Sequence, residues 1–481
     1  ISAAQPYSIK RLGVELGLSN NNVVSITQDK LGFLWFATEE GLNKFNGSRF
    51  INYYKYSTQS PSISGNELNR VYADKVDSII WIATQRSGLN AYNYNNNTFT
   101  VYKKNPADKN SLITNDVTSV TNAADGNLWI STYYRGVDYF DKKTKKFTHY
   151  NKSTLSGLTN ENVWTVMEDN DRNLFIGHVN EGLSILSLRN KRVRNFKNNP
   201  QDPTSIPGNE VRCIFRDSNN NIWVGTNSGL ALFNPDRNNF TVFRNNNSAF
   251  FAPKLSSIYS IQQINSNQLW IATEFEGIFI LDIRQLSIMS ADKVSFRHIS
   301  SGDDEYQLSA STVRSIFQDS FHNIWIGTYG GGINFISNNP PLFNTLSYNP
   351  VLGKNSKLSY KVAWGMCTDK QGKTWIGTDG GGINVFEKGK RIAIYNKESG
   401  QLSDNAVLSM FNDSQNNIWI GTYLGGVNYY NNKSKQFKQI VLGGKSRLDI
   451  RCFFEDLHHN LWVGSSEGIY SINLQDQQKI T

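Results

Sequence analysis

Apolar and polar residues alternate along this chain in short runs. VRSIFQD at 313–319, IWIGT at 324–328 and INFI at 333–336 follow one another, separated by clusters of Asn, Gly, Tyr and Ser. Period-two alternation built from Val, Ile, Phe, Trp and Tyr predicts half-buried strands joined by tight turns. The order then repeats: LWFATEEGLNKF begins at 34, IWIATQRSGLNAY at 80, LWISTYYRGVDYF at 128, LFIGHVNEGLSIL at 174 and IWVGTNSGLALF at 222. LWIATEFEGIFIL at 269, IWIGTYGGGINFI at 324, TWIGTDGGGINVF at 374, IWIGTYLGGVNYY at 418 and LWVGSSEGIYSI at 461 bring the copies to ten. Aligned positions lie 43 to 55 residues apart, a period that suits propeller blades and exceeds that of most helical solenoids. Each copy reads as four antiparallel strands, A to D: a run such as VRSIFQD, the WIGT strand, the INFI strand, and an aromatic run such as FTVFR at 240–244.

Several local signals invite a chemical reading and give way to a structural one. The glycines of WIGTYGGGINF resemble a phosphate loop, but such a loop needs a following helix, and here a strand follows. A glycine after the B strand recurs in every copy, so it supplies backbone freedom at the B–C turn. LGGKS at 442–446 lacks the upstream glycine of a Walker sequence. The Asp of QDKLGF, RDSNNNI and TDKQGKTW suggests a calcium loop, yet too few acidic oxygens follow, and an Asp opening a tight turn accounts for it. TDKQGKTW also approaches the Asp-box of sialidases, with a spacing one residue too long. The reading is therefore of no cofactor, no metal and no catalytic residue.

Composition narrows the picture further. With 481 residues, 38% hydrophobic and 12% aromatic, the chain can bury a large core. A net charge of +9 favours an anionic partner, but the lysines are scattered apart from KKTKKF at 142–147 and RNKRVR at 189–194, and no basic stripe is interleaved with aromatics as nucleic-acid binding requires. Cys213, Cys367 and Cys452 lie inside apolar runs without CxxC pairing, so all three are expected as small buried core residues. No apolar run reaches the roughly 18 residues of a membrane helix. The chain reads as a mature or excised piece of a longer protein, touching a membrane only through segments outside it.

The segments VVSITQDKLGFLWFATEEGLNKFNG (23–47) and VRSIFQDSFHNIWIGTYGGGINFI (313–336) resemble the regulator-type propeller repeats in periplasmic sensor regions of Bacteroidetes hybrid two-component systems. The resemblance covers nearly the whole chain. It implies a periplasmic, non-enzymatic region that senses an oligosaccharide, acidic sugars included, and controls glycan-utilisation genes. It also implies that a histidine kinase and the membrane segment lie in other parts of the protein, and it allows a homodimer formed through the full-length receptor. Such regions hold two seven-bladed propellers whose rearrangement carries the signal. The Pro-Pro pair of SNNPPLFNTLSY follows copy seven, so the expected fold is an all-β propeller ring of seven blades at 1–340 and the first three blades of a second at 341–481, with a single ten-bladed ring as the alternative. YSIKRL at 7–12 is placed to complete blade seven as its D strand, and LFNTLSY at 342–348 to do the same for the second ring.

The candidate site follows from variation among the copies. The second position of the A strand runs Val24, Asn69, Thr118, Trp164, Arg212, Tyr259 and Arg314, then Trp364, Leu408 and Arg451, varying far more than its neighbours, which are most often Val, Ser and Ile. Variation against a steadier frame suits a surface for one asymmetric ligand. The B–C turns add Glu39, Arg86, Tyr133, Tyr134, Arg135, His178, Glu274, Phe275, Tyr329, Asp379 and Tyr423 to the same end of the blades. Aromatic faces stack on sugars and arginines fork onto carboxylates or sulfates. The expected ligand-binding set is Tyr134, Arg135, Trp164, Arg212, Arg314, Tyr329, Trp364, Asp379 and Tyr423. A propeller glycosidase or lyase using Glu39, Glu274 or Glu276, and a protein-interaction scaffold, are the competing readings.

Overall fold

The computed structural model of the chain describes residues 7–56, 62–243, 254–255, 257–287, 290–339, 346–348 and 357–475. Among them the regular elements are β-strands, apart from three short 3₁₀ turns at Val14–Leu16, Ile283–Ser287 and Ala291–Lys293. Among the described residues no helix is long and apolar enough to cross a membrane. The strands form four-stranded antiparallel blades in the order A-B-C-D, with one three-stranded sheet at the end of the described chain.

The chain divides into two compact units, 1–340 and 341–481. In the first, the A strands of successive sheets adjoin, from Val23–Gln28 through Leu68–Ala73, Val117–Asn122, Val163–Glu168, Val211–Arg216 and Ile258–Ile264 to Val313–Gln318, which adjoins Val23–Gln28 again. The seventh sheet takes its fourth strand from the N-terminal segment: Lys10–Leu12 pairs with Ile333–Ile336, matching Lys10 to Phe335, Arg11 to Asn334 and Leu12 to Ile333. Ile9 beside it is buried. In the second unit the A strands Ala363–Thr368, Val407–Asn412 and Ile450–Glu455 adjoin in turn. The Pro-Pro pair at 340–341 lies outside the described residues, as does most of LFNTLSY.

The core lies between sheets. Trp81 is fully buried and meets Phe140 of the next sheet edge-on at 5.5 Å, and Trp35 meets Tyr92 at 5.3 Å. These indoles owe their position to the A–B turn. Asp217 accepts the backbone N–H groups of Asn219 and Asn221 through one oxygen, while the other accepts the Trp223 indole N–H at 2.9 Å. Asp29, Asp74, Asp319, Asp369, Asp413 and Asp456 hold Trp35, Trp81, Trp325, Trp375, Trp419 and Trp462 in the same way. Both oxygens of this Asp are occupied by donors, so the residue shapes a turn and anchors a tryptophan. Copy three has Ala123 at the Asp position; there Glu168, from the next sheet, reaches across and accepts the Trp129 N–H at 2.8 Å.

The B–C glycine has positive φ in each copy, from Gly41 (105°) to Gly468 (141°). At Gly332 a Cβ would stand 2.5 Å from the Leu12 carbonyl oxygen, so this glycine serves the approach of Lys10–Leu12 as well as the turn. The cysteine expectation needs correction. Cys213 is buried, but Cys367 is half-buried and Cys452 exposed, because the strands that carry them lie in the outer sheets of the described second unit and lack a neighbour on one side.

Candidate ligand-binding face

The variable A-strand position is a β-bulge. In the first sheet Val23 pairs with Thr38 and Ser25 with Ala37, leaving Val24 out of the ladder, and the register slips at the corresponding point in every other sheet. A bulged residue escapes the inward–outward alternation of its strand and re-aims its side chain. This explains why the position varies far more than the flanking ones, where Val and Ser are the commonest residues. The B–C turn is pinned beside it. The residue after the B strand donates its N–H to the carbonyl just before the A strand, as Tyr329 does to Thr312, Tyr133 to Asp116 and Glu274 to Ser257. Bulge and turn therefore share one end of each blade.

Two of these bulged side chains do structural work. Asn69 donates to the Val117 carbonyl and Thr118 to the Val163 carbonyl, each at 2.7 Å, clipping one A strand to the next. The following copies form a polar cluster. The Arg212 and Arg314 guanidinium carbons each stand 4.2 Å from the Tyr259 ring centroid, and Arg314 is 5.3 Å from that of Tyr329. Arg212 bonds Glu210 at 2.7 Å and Glu274 at 3.1 Å, and the Tyr259 hydroxyl donates to Glu274 at 3.2 Å. Burial opposes the charge on Arg212, but the two carboxylates outweigh it and hold its pKa above the usual value. Burial raises the pKa of Tyr259, against the pull of the two arginines.

A second group gathers around Tyr134. Its ring meets Tyr133 at 4.0 Å, and Tyr133 meets Trp164 at 6.0 Å. An open cleft of about 500 Å³ is lined there by Arg86, Lys104, Asp116, Tyr133, Tyr134 and Arg135. Tyr134 is 58% exposed at φ 69°, and Arg86 (φ 61°) and Phe275 (φ 73°) also hold left-handed backbone in B–C turns. Such a conformation disfavours bulky side chains, and Gly330 (φ 83°) shows what the turn accepts without strain. In the second unit Trp364 and Tyr423 are exposed, at 58% and 47%. Asp379 is half-buried and pairs with Ala406 in an isolated bridge.

His178 does not join this face. It ends the strand Asn173–His178 at the place where the other copies carry Thr or, in the tenth, Ser465, and its ring is fully buried, bonded to Ser184 at 2.7 Å; burial lowers its pKa to about 4. Sequence reasoning missed Glu210, the residue just before the A strand, although that position also varies among copies. Of the carboxylates considered for glycoside chemistry, Glu274 is committed to Arg212 and Tyr259, and Glu39 accepts from Asn22 at 2.7 Å.

Comparison with known proteins gives these repeats a lineage. A family described as two component regulator propeller matches residues 17–40, 111–134, 205–228, 307–330 and 401–424, stretches that run from the D–A connection to the B–C turn and so contain the bulge. The extracellular domain of a hybrid two component system from B. thetaiotaomicron is 53% identical, covering 99% of this chain and 60% of that one, with a TM-score of 0.72. A second such domain from the same organism, 20% identical with the same coverage and a TM-score of 0.54, shares the fold. Histidine kinase P4 of Formosa agariphila is 50% identical over 48 residues, 10% of this chain and 4% of its own. The chain thus spans about three fifths of these solved relatives. Five of its stretches match two-component regulator propeller repeats, and the chain is similar, over nearly its full length, to the extracellular domain of a Bacteroides hybrid two-component system, as its motifs led us to expect.

Proposed function

We propose that this chain is the extracytoplasmic, periplasmic ligand-sensing part of a hybrid two-component system. Residues 1–340 form a complete seven-bladed ring, and 341–481 are the first three blades of a second whose remaining blades belong to other parts of the protein. The ligand is an oligosaccharide, acidic sugars included, bound by the bulged positions and B–C turns of Tyr134, Arg135, Trp164, Arg212, Arg314 and Tyr329, with Trp364, Asp379 and Tyr423 as the corresponding set in the second unit. A ligand with different affinity for two arrangements of the propellers shifts their equilibrium, and the histidine kinase of the full protein reads that shift to control glycan-utilisation genes. The region itself carries out no catalysis.

The observation that supports this reading most directly is the coincidence of variation and bulge. Side chains released from the ladder in copies four to seven are Trp164, Arg212, Tyr259 and Arg314, the types that stack on sugars and pair with their acidic groups. Titrating the protein with neutral and acidic oligosaccharides of plant, host and microbial origin tests it. The expected result is a raised thermal midpoint and a saturable isotherm with one structural class. No response across the panel, or release of reducing sugar by the purified protein, overturns it.

A further inference from the structure

The two arginines of the cluster are not equivalent. Arg212 is paired: its Nε bonds Glu210 and its Nη1 bonds Glu274. Arg314 has aromatic neighbours on the same scale, Tyr259 at 4.2 Å and Tyr329 at 5.3 Å, but no carboxylate ion pair among the described residues. Its Nε is buried and finds no hydrogen-bond acceptor there. A buried donor on a charged group is costly to leave unpaired, and a native structure keeps one where something else supplies the acceptor. The two rings hold the guanidinium in place by cation–π attraction without using its in-plane donors. The four charges of Arg212, Arg314, Glu210 and Glu274 sum to zero, so any pull on an anion is local to Arg314.

We propose that Arg314 is the residue that reads an oxyanion carried by a sugar, a carboxylate or a sulfate ester, and that Arg212 is a positioning residue. Arg212 holds Glu210 and Glu274 away from Arg314 and braces Tyr259, which in turn supports Arg314. The assignment rests on the oligosaccharide reading and adds the chemistry of one subsite. Tyr329, in the turn pinned to Thr312 two residues before Arg314, stands 5.3 Å from the guanidinium and offers a ring to the sugar bearing the anion.

Calorimetric titration separates this from alternatives, using four probes: sodium sulfate, an unsulfated uronate disaccharide, a sulfated disaccharide without uronate, and their neutral counterpart. In wild type at least one acidic probe binds, and the two disaccharide arms tell carboxylate from sulfate. Arg314→Gln weakens that probe by about tenfold to a hundredfold, the range of a charge-assisted bidentate contact, and leaves the neutral sugar unchanged. Arg314→Lys keeps the charge but loses the fork, and recovers part of the affinity. Arg212→Gln combined with Glu274→Gln removes one charge of each sign and weakens the acidic probe less than Arg314→Gln does, while Glu274→Gln alone strengthens anion binding. An unchanged thermal midpoint in each unliganded variant shows that folding is intact. An acidic sugar bound equally by wild type and Arg314→Gln overturns the assignment while the oligosaccharide reading stands. Loss of sulfate binding in Arg314→Gln with no sugar bound by any variant supports Arg314 as an anion reader and removes the oligosaccharide reading. Absence of binding by any acidic probe, or an equal loss in the charge-balanced double variant, overturns the assignment.

Discussion

Asp217 with Trp223 in the first unit and Asp456 with Trp462 in the second are the same device in two settings. Each carboxylate accepts two backbone N–H groups, an Asn side chain and the indole N–H, the last at 2.9 Å in both. Trp223 is fully buried, whereas Trp462 is 42% exposed. The same contrast runs through the outer sheets of the second unit. Met366 (64%) is exposed on an A strand at the register where the first unit buries Ile26 and Ile316, Phe454 (63%) is exposed where Phe317 is half-buried, and Ile469 is exposed at 74%. The difference teaches that a blade encodes its own turns and hydrogen bonds, while burial of its faces comes from the neighbouring blades. In the first unit each A strand has a neighbour on both sides, since Val313–Gln318 adjoins Val23–Gln28, and Lys10–Leu12 closes the seventh sheet.

The largest expected effect comes from breaking that closure. Deleting residues 7–12 removes the fourth strand of the seventh sheet and the buried Ile9, whose side chain alone is worth about 2–5 kcal/mol. Differential scanning calorimetry is expected to show the first unit's transition falling steeply while the second unit's stays in place; a common shift would mean that the units melt together. Next in size is acid sensitivity. His178 titrates near 6.5 when unfolded and at about 4 when folded. Its protonation therefore favours the unfolded state, and stability falls as pH drops from about 6.5 to about 4, by up to about 3 kcal/mol. His178→Gln flattens that part of the first unit's profile. In the second unit Asp456 is held down at about 2 by the Trp462 and Asn460 bonds, so its contribution is present above the ordinary carboxylate range and is lost only as pH falls toward about 2. Denaturant melts followed from pH 7 to 2 resolve the two windows.

Asp217→Ala tests burial directly. Leaving the Trp223 N–H and two backbone N–H groups without their charged acceptor costs about 1.5–3 kcal/mol, whereas Asp456→Ala is expected to move the second unit's melting less, since water replaces the lost acceptor. Equal shifts would show that the hydrogen bonds, and not their burial, set the value of the motif. The smallest effect concerns the two tryptophans at the bulged position. Trp164 stands beside Tyr133 in the first unit, and Trp364 is exposed in the second. Trp164→Ala is expected to weaken oligosaccharide binding about five- to tenfold, a stacking contribution near 1 kcal/mol, with Trp364→Ala nearer to wild type; the reverse order would move the site to the second unit.

Much of the blade was legible because its signals are local and repeated. WIGT and INFI announced their strands, the turn Asp announced its hairpin, and YSIKRL contained the strand that completes blade seven. The bulge was visible only as variation at Val24, Asn69, Trp164 and their equivalents, since a one-residue slip in register leaves no motif of its own. Glu168 was hidden for another reason. It replaces an Asp missing from a different copy, and the only trace is Ala123 where Asp stands elsewhere. Arg212 and Arg314 were both picked from position and type, but their unequal roles depend on Glu210 and Glu274, which reach Arg212 from a preceding loop and a neighbouring blade.

The sequence by itself determined the strands, the turns and the repeat, because alternation, glycine at positive φ and the Asp–Trp pairing act within a few tens of residues. Tertiary structure decided which residues are buried and which side chains are free. His178 turned inward, Cys452 was left exposed, Asn69 and Thr118 became clips between A strands, and Arg314 kept an unpaired donor. Each outcome depends on what a neighbouring blade places alongside, and a single strand's pattern does not contain that information.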